Sequence, residues 1–300
     1  MTNAPSAQPR RAYLIAGANG MLGTALQRVL AARGARFVAP GEAAFDITDE
    51  EAVALAVADF VEVLLPGESG VLVNAAAYTN VERAEDDAAT AYRVNEHGAR
   101  VLADAAYRTG LGFVHVSTDF VFDGTKDGPY AETDATNPLS VYGASKLAGE
   151  VAVLGADPEA LIVRTAWVFG PAGVNFPVKI LEAARKNPQL KVVTDEIGSP
   201  TYTLDLAAGI LDLVDARARG IFHLAGAGAC SRFELATEIL ALAGVATPIE
   251  PVTSDAFATK AARPLNSVLD CGKAASLGVT MPGWRDAVAR FLREAGELPA

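Results

Sequence analysis

Three short segments place chemistry-bearing residues in an order that suits hydride transfer to a carbonyl. Gly17-Ala18-Asn19-Gly20-Met21-Leu22-Gly23 follows a first apolar run, Ser117-Thr118-Asp119 follows a later one, and Tyr142-Gly143-Ala144-Ser145-Lys146 opens a helical pattern. Tyr142 and Lys146 are four residues apart, so on a helix they share a face. A free phenol, with a pKa near about 10, is a sluggish acid; an ammonium beside it favours the phenolate and lowers that value toward the working range. Tyr142 would then protonate a developing alkoxide while Thr118 donates a hydrogen bond to the same oxygen. Lys146 would also reach the ribose of a nicotinamide cofactor. Any amphipathic helix can carry one Tyr and one Lys. Thr118, at the end of the preceding strand, is what turns the pair into a set.

The glycines at 17, 20 and 23 fall where a strand turns into a helix. Lacking side chains, they let the backbone turn tightly and approach a pyrophosphate, whose charge is favoured by the amide groups and dipole of a helix start. Asn19, Met21 and Leu22 lie within the same turn and are read with it as cofactor contacts. Asp46-Ile47 are expected beside the adenine, and Ala75, Ala76 and Ala77 where the cofactor passes the third strand; Tyr142 and Lys146 complete the cofactor set. Near Ala39-Pro40-Gly41, where an acid would read a ribose or an Arg a 2′-phosphate, neither stands plainly. Glu42 is one candidate for the ribose and Arg10, Arg11 and Arg36 for a phosphate, so these residues leave NADPH versus NADH open.

Apolar runs of strand length alternate with longer segments of helical period, the pattern of βα units in a parallel sheet. The strand candidates are 13–16, 36–39, 71–74, 113–117, 161–164 and 221–224; the helix candidates are 21–33, 50–61, 89–109, 141–154 and 204–216. The expected fold class is α/β, a Rossmann-like doubly wound parallel sheet with a smaller C-terminal substrate-binding lobe. Residues 1–11 read as a flexible tail, 12–170 as the dinucleotide-binding domain with 203–225 returning to its sheet, and 171–202 with 226–300 mainly as the lobe. Within the lobe, helical patterns cover 175–186 and 232–243, a short strand covers 191–194, and a loop-rich segment runs to Asp270.

The chain has 300 residues, of which 51% are hydrophobic and 20% charged, the balance of a globular protein with a sizeable core. A net charge of -11 argues against a nucleic-acid surface, which needs clustered Lys and Arg. No apolar stretch approaches the length of a membrane span, and the polar start lacks a signal-peptide core, so a cytoplasmic protein is expected. Cys230 and Cys271 show no metal spacing and read as reduced thiols, and His115 and His223 read as packed, hydrogen-bonded strand residues. No metal site is expected.

The segments 17–23, 74–81 (Asn-Ala-Ala-Ala-Tyr-Thr-Asn-Val), 117–124 (Ser-Thr-Asp-Phe-Val-Phe-Asp-Gly), 142–150 and 164–170 (Arg-Thr-Ala-Trp-Val-Phe-Gly) together resemble the dTDP-4-dehydrorhamnose reductase family, extended short-chain dehydrogenase/reductases that make dTDP-L-rhamnose. The likeness continues through Gly173-Val174-Asn175-Phe176, Gly198-Ser199-Pro200-Thr201 and Ala262-Arg263-Pro264. It implies Thr118, Tyr142 and Lys146 as the catalytic set, NADPH as cofactor with NADH as the alternative, and a dTDP-sugar as substrate. It also implies Thr79, Val81, Phe120 and Trp167 beside the sugar, Asn175 toward the nucleotide diphosphate, and a homodimer as one form of assembly; Arg263, by its charge, is read as a partner for a diphosphate. Two residues depart from the family pattern: Phe120 stands where Tyr is common, and Glu196 where Gln is common, the latter adding negative charge near the expected nucleotide. Both bear on the sugar or nucleotide rather than on hydride chemistry. The alternatives are therefore a 4-ketoreductase acting on another dTDP-deoxysugar, or a non-catalytic cofactor-binding subunit, since the regulatory β subunit of methionine adenosyltransferase resembles the same family.

Overall fold

The computed structural model describes residues 10–298. Its centre is a sheet of six parallel strands: β1 (Arg10–Ala16), β2 (Arg36–Val38), β3 (Glu68–Asn74), β4 (Gly112–Thr118), β5 (Leu161–Thr165) and, after the lobe strand β6 (Leu190–Val193), β7 (Gly220–His223). The spatial order is β7-β5-β4-β3-β1-β2, so the direction of winding reverses at β1 and opens a crevice beyond the strand ends. Strand β1 starts at Arg10, which takes Arg10 and Arg11 out of the expected tail; residues 1–9 of that tail lie outside the described residues.

The strands are almost continuously apolar because helices cover both faces. On one side pack α1 (Met21–Ala32) and, further along the chain, Thr203–Asp215, with Leu26, Leu30 and Leu206 fully buried against Ile15 and Val73. On the other pack α2 (Glu50–Glu62), α3 (Ala99–Thr109) and α4 (Val141–Ala156) around Leu14, Leu72 and Phe60. Each such side chain contributes roughly 1.5–3 kcal/mol of burial, and together they hold the strand ends where the chemistry lies.

The helix expected over 89–109 is interrupted. Ala88–Tyr92 passes into a π-turn, Arg93–Gly98, before α3 begins. The cause is Asn95, 1% exposed, whose side chain accepts from Tyr78 N at 2.8 Å and donates to Tyr78 O at 3.2 Å and Ser145 Oγ at 2.9 Å. The widened turn carries the Asn95 carbonyl onto α4 at Gly149, where any side chain would collide with it.

Beyond β5 the chain forms α5 (Phe176–Lys186), then α6 (Thr203–Asp215), which packs on the sheet, and it builds a second core from α5 with α7 (Arg232–Leu242) and α8 (Trp284–Glu294). Phe169, Leu181, Tyr202, Leu235 and Phe291 meet there. The segment expected to be loop-rich holds strand β8 (Ile249–Val252), parallel to β6. Glu250-Pro251 conceals it from pattern reading, and Pro251 is tolerated because the ribbon has only two strands. Ala274 and Val279 pack with the sheet core, not with this second core.

Candidate active site

A crevice of about 1250 Å3 runs from the β1 end to the second core, and the residues expected at the site, Gly23 and the candidate phosphate arginines apart, lie along it. The β1 end is a cradle. Gly17 sits at φ +79°, where a Cβ would stand 2.5 Å from Ala76 N, and a Cβ on Gly23 would strike the Gly17 carbonyl. Gly20 N donates to Gly17 O at 3.0 Å, and α1 starts from Gly20 with no side chain bonding its first amides. Gly20, Met21 and Leu22 line the crevice, and free amides at a helix start suit an anion. Asn74 Oδ1 accepts from Ala76 N at 3.0 Å, shaping the 75–77 turn opposite. Asp46 accepts from Thr48 N at 2.9 Å and Thr48 Oγ1 at 2.8 Å, and these bonds hold its carboxyl below the usual value.

Of the arginines weighed for a phosphate, Arg11 pairs with Asp215 and Arg36 with Glu68 at 2.5 Å, and Arg10 does not line the crevice. Glu42 does line the crevice, close to Asp46 in the chain.

Midway along the crevice β4 ends in Thr118, whose hydroxyl accepts from Phe120 N at 3.2 Å and donates to Asp119 Oδ1 at 2.9 Å. Helix α4 starts from Ser140, whose Oγ accepts from Gly143 N at 3.2 Å, and carries Tyr142 and Lys146 on one face. Ser145 Oγ donates to Tyr142 O at 2.8 Å and receives Asn95, so the π-turn braces the helix at its reactive end. Lys146, 2% exposed, donates to Val116 O at 2.7 Å. Phe120 meets Tyr142 edge to face, ring centroids 5.4 Å apart.

Burial dominates the electrostatics. It pushes the Tyr142 phenol up to about 12, opposite to the expected acidification, while the Thr118 hydroxyl pulls weakly the other way. It draws Lys146 down to about 8, against the pull of Glu150. It raises Asp119 to about 6, with Ser267, Thr118 and Arg232 opposing. Asp119 Oδ2 has no hydrogen-bond partner among the described residues.

At the far end Trp167 adopts φ +46°, a strained left-handed backbone that turns its indole into the crevice. One face of the ring is covered by Arg232, its guanidinium carbon 3.4 Å from the ring centroid. Arg232 also reaches Glu196 at 3.5 Å, so the unusual acid has its counter-charge within the protein and the expected surplus of negative charge is corrected. Asn175 is buried as the cap of α5, accepting from Val178 N at 3.3 Å and donating to Gly170 O at 2.6 Å. Arg263 is paired with Glu82 at 2.6 Å on the crevice rim, next to Thr79 and Val81.

Sequence reading missed Arg232 and Asn95. Arg232 gave no signal, because its partners Trp167 and Glu196 are 65 and 36 positions away in the chain. A polar Asn in the middle of an apolar helical face was a usable clue for Asn95.

Residues 11–296 match the family model described as RmlD substrate binding domain. The dTDP-4-dehydrorhamnose reductase of Mycobacterium tuberculosis is 42% identical over 288 residues, covering 93% of this chain and 91% of that protein. The spore coat polysaccharide biosynthesis protein SpsK of Bacillus subtilis is 36% identical over 281 residues, covering 94% and 96%. Among solved structures, the Bacillus anthracis dTDP-4-dehydrorhamnose reductase in complex with NADP superposes with a TM-score of 0.89 at 34% identity, covering 95% of this chain and 99% of that one.

Proposed function

The chain belongs to the dTDP-4-dehydrorhamnose reductase family, and from that membership and the crevice chemistry we infer that it reduces the 4-keto group of dTDP-4-dehydro-L-rhamnose to dTDP-L-rhamnose with NADPH. The observation that carries the reading is the convergence of a side-chain-free cradle at Gly17 and Gly23 with Thr118, Tyr142 and Lys146 along one crevice.

The cradle fits the cofactor: a methyl group at either glycine would collide with neighbouring backbone, so only glycine permits the tight turn that lets the backbone approach a pyrophosphate. When bound, the nicotinamide supplies the hydride. The chain's own groups manage the oxygen. Thr118 and Tyr142 converge on the carbonyl, Tyr142 donates its proton as the alkoxide develops, and Lys146 returns a proton to the phenolate. A phenol near 12 keeps its proton at every physiological pH, so it is loaded for donation. Trp167, Phe120, Thr79 and Val81 would bound the sugar, and Arg232 and Asn175, which line the same crevice, would face the nucleotide. Phe120 favours one second reading, a different 4-keto deoxysugar, because its phenyl ring offers nothing to a sugar hydroxyl.

The test is NADPH consumption with enzymatically generated dTDP-4-dehydrorhamnose, the product sugar being identified by NMR. Tyr142→Phe is expected to lower kcat by roughly 100- to 10,000-fold while NADPH affinity holds. Equal loss of both would make Tyr142 a structural residue, and NADPH binding without turnover would transfer the reading to another keto sugar.

A further inference from the structure

We propose that His115, locked in one tautomer by Asn74, turns a ring N–H toward Lys146 and so acts as a positioning residue that makes the lysine a readier proton donor. This rests on Lys146 being the lysine of the reaction. Asn74 Oδ1 accepts from Ala76 N at 3.0 Å, which leaves the amide nitrogen of Asn74 facing His115 Nδ1, also at 3.0 Å. That nitrogen can only donate, so Nδ1 carries the lone pair and the ring proton sits on Nε2. Reversing the amide would set its NH2 group against the Ala76 N–H and lose the bond that shapes the turn.

Nε2 stands 3.4 Å from Lys146 Nζ. An ammonium has three donors and no lone pair, so toward Nε2–H it finds no acceptor; a free amine, with one lone pair, does. The contact therefore favours the amine and the release of a proton. A second proton on the imidazole is opposed twice, because Nδ1–H would meet the Asn74 amide and because burial and the Lys146 charge hold His115 well below its ordinary value.

The other groups around the pair do not supply this effect. From β3 comes Asn74, from β4 the Val116 carbonyl, and from the π-turn Asn95, all neutral. Along α4 itself stand Tyr142 and Glu150. Glu150 favours the ammonium, yet its carboxylate is shared by Arg164 at 2.6 and 2.9 Å and by Ser117 at 2.5 Å. His115 thus adds to burial in opposing Glu150 at Lys146.

The molecule contains its own control. His223 Nδ1 faces Tyr130 O at 3.0 Å, so its proton sits on Nδ1, the opposite tautomer from His115. Long-range proton–nitrogen correlation spectra of the 15N-histidine-labelled chain read both rings directly, without substrate, and a His115→Gln sample assigns the signals. The expected result is a neutral Nε2–H ring for His115 and a neutral Nδ1–H ring for His223, unchanged from about pH 6 to 9. An Nδ1–H ring at His115, or its titration in that range, overturns the proposal.

Asn74→Asp supplies the second arm. Its carboxylate would accept a hydrogen bond from Nδ1–H and so hold the ring proton on Nδ1, turning the Nε2 lone pair toward Lys146 and moving the alkaline limb of the kcat–pH profile up by about one unit. A uniform loss of kcat with the limb in place would mark Asn74 and His115 as packing residues and also overturn the proposal. Failure of Tyr142→Phe to affect turnover would instead refute the reaction assignment, and the tautomer spectra keep the two failures apart.

Discussion

Asp119 is the point where this protein gives up stability within its active site. Its carboxyl is 2% exposed, one oxygen has no hydrogen-bond partner among the described residues, and burial lifts it to about 6 from the ordinary 3.8. A carboxyl raised on folding is comfortable while protonated and costly once charged. Its contribution is therefore fully favourable below about pH 4 and is lost as the pH rises through 6. The gap between the two values, at about 1.4 kcal/mol per pH unit, comes to about 3 kcal/mol by pH 8. Asp119→Asn removes the charge but keeps an acceptor for the Thr118 hydroxyl. The variant is expected to be more stable than the parent by about 3 kcal/mol at pH 8, roughly 6 °C in Tm, and no more stable at pH 4. Urea and thermal denaturation of both proteins across that range give the answer. Arg232→Met, which removes the cation that restrains Asp119, should widen the parent's loss of stability toward alkaline pH. A gain from Asp119→Asn that does not vary with pH, or a variant weaker than the parent at pH 8, would refute the reasoning, since both would mean that Asp119 is not charged at a cost.

Gly17→Ala is expected to weaken NADPH binding by at least tenfold while the fold survives. The new methyl must displace the 75–76 backbone from 2.5–2.7 Å and hold φ +79°, a strain of roughly 1–2 kcal/mol; calorimetric titration with NADPH reads it, and unchanged affinity would remove the cradle from the argument. Glu150→Gln leaves the Arg164 guanidinium, 3% exposed, without its carboxylate and should cost about 3–5 kcal/mol in urea unfolding. A loss below about 1 kcal/mol would show that water or Ser117 already satisfies the arginine.

Much of the sheet could be read from the sequence because each strand is a compact apolar run closed by a small or polar residue, as in Val71–Asn74 and Phe113–Ser117. The cradle was equally legible, since Gly17 and Gly23 are needed by backbone alone and no distant partner decides them. What escaped depends on pairs far apart in the chain. The π-turn exists because Asn95 bonds Tyr78 and Ser145, and helical periodicity contains no trace of either partner. Trp167 is expected from sequence to lie beside a sugar, but Arg232 from α7 lies across one face of its ring and Gly198 stands so close to the ring that a Cβ there would be 2.3 Å from it, so less of the indole is open to a ligand. The phenol departs from expectation for a related reason: spacing reveals that Lys146 shares a helix face with Tyr142 and says nothing of how deeply both are buried.

That burial gives the site a direction. An alkoxide formed from a keto sugar is about as strong a base as hydroxide, whereas the Tyr142 phenol stands near 12 and the Lys146 ammonium near 8. A proton therefore moves downhill twice, from phenol to alkoxide and from ammonium to phenolate, and each step strengthens the case for reduction over oxidation near neutral pH. Lowering the phenol toward neutrality would ease the removal of a proton from an alcohol but would weaken donation to an alkoxide. The same ordering sets the alkaline limit: above about pH 8 the lysine enters the cycle as an amine, the phenolate waits for a proton from water, and the rate of reduction falls while Tyr142 remains protonated in the resting protein.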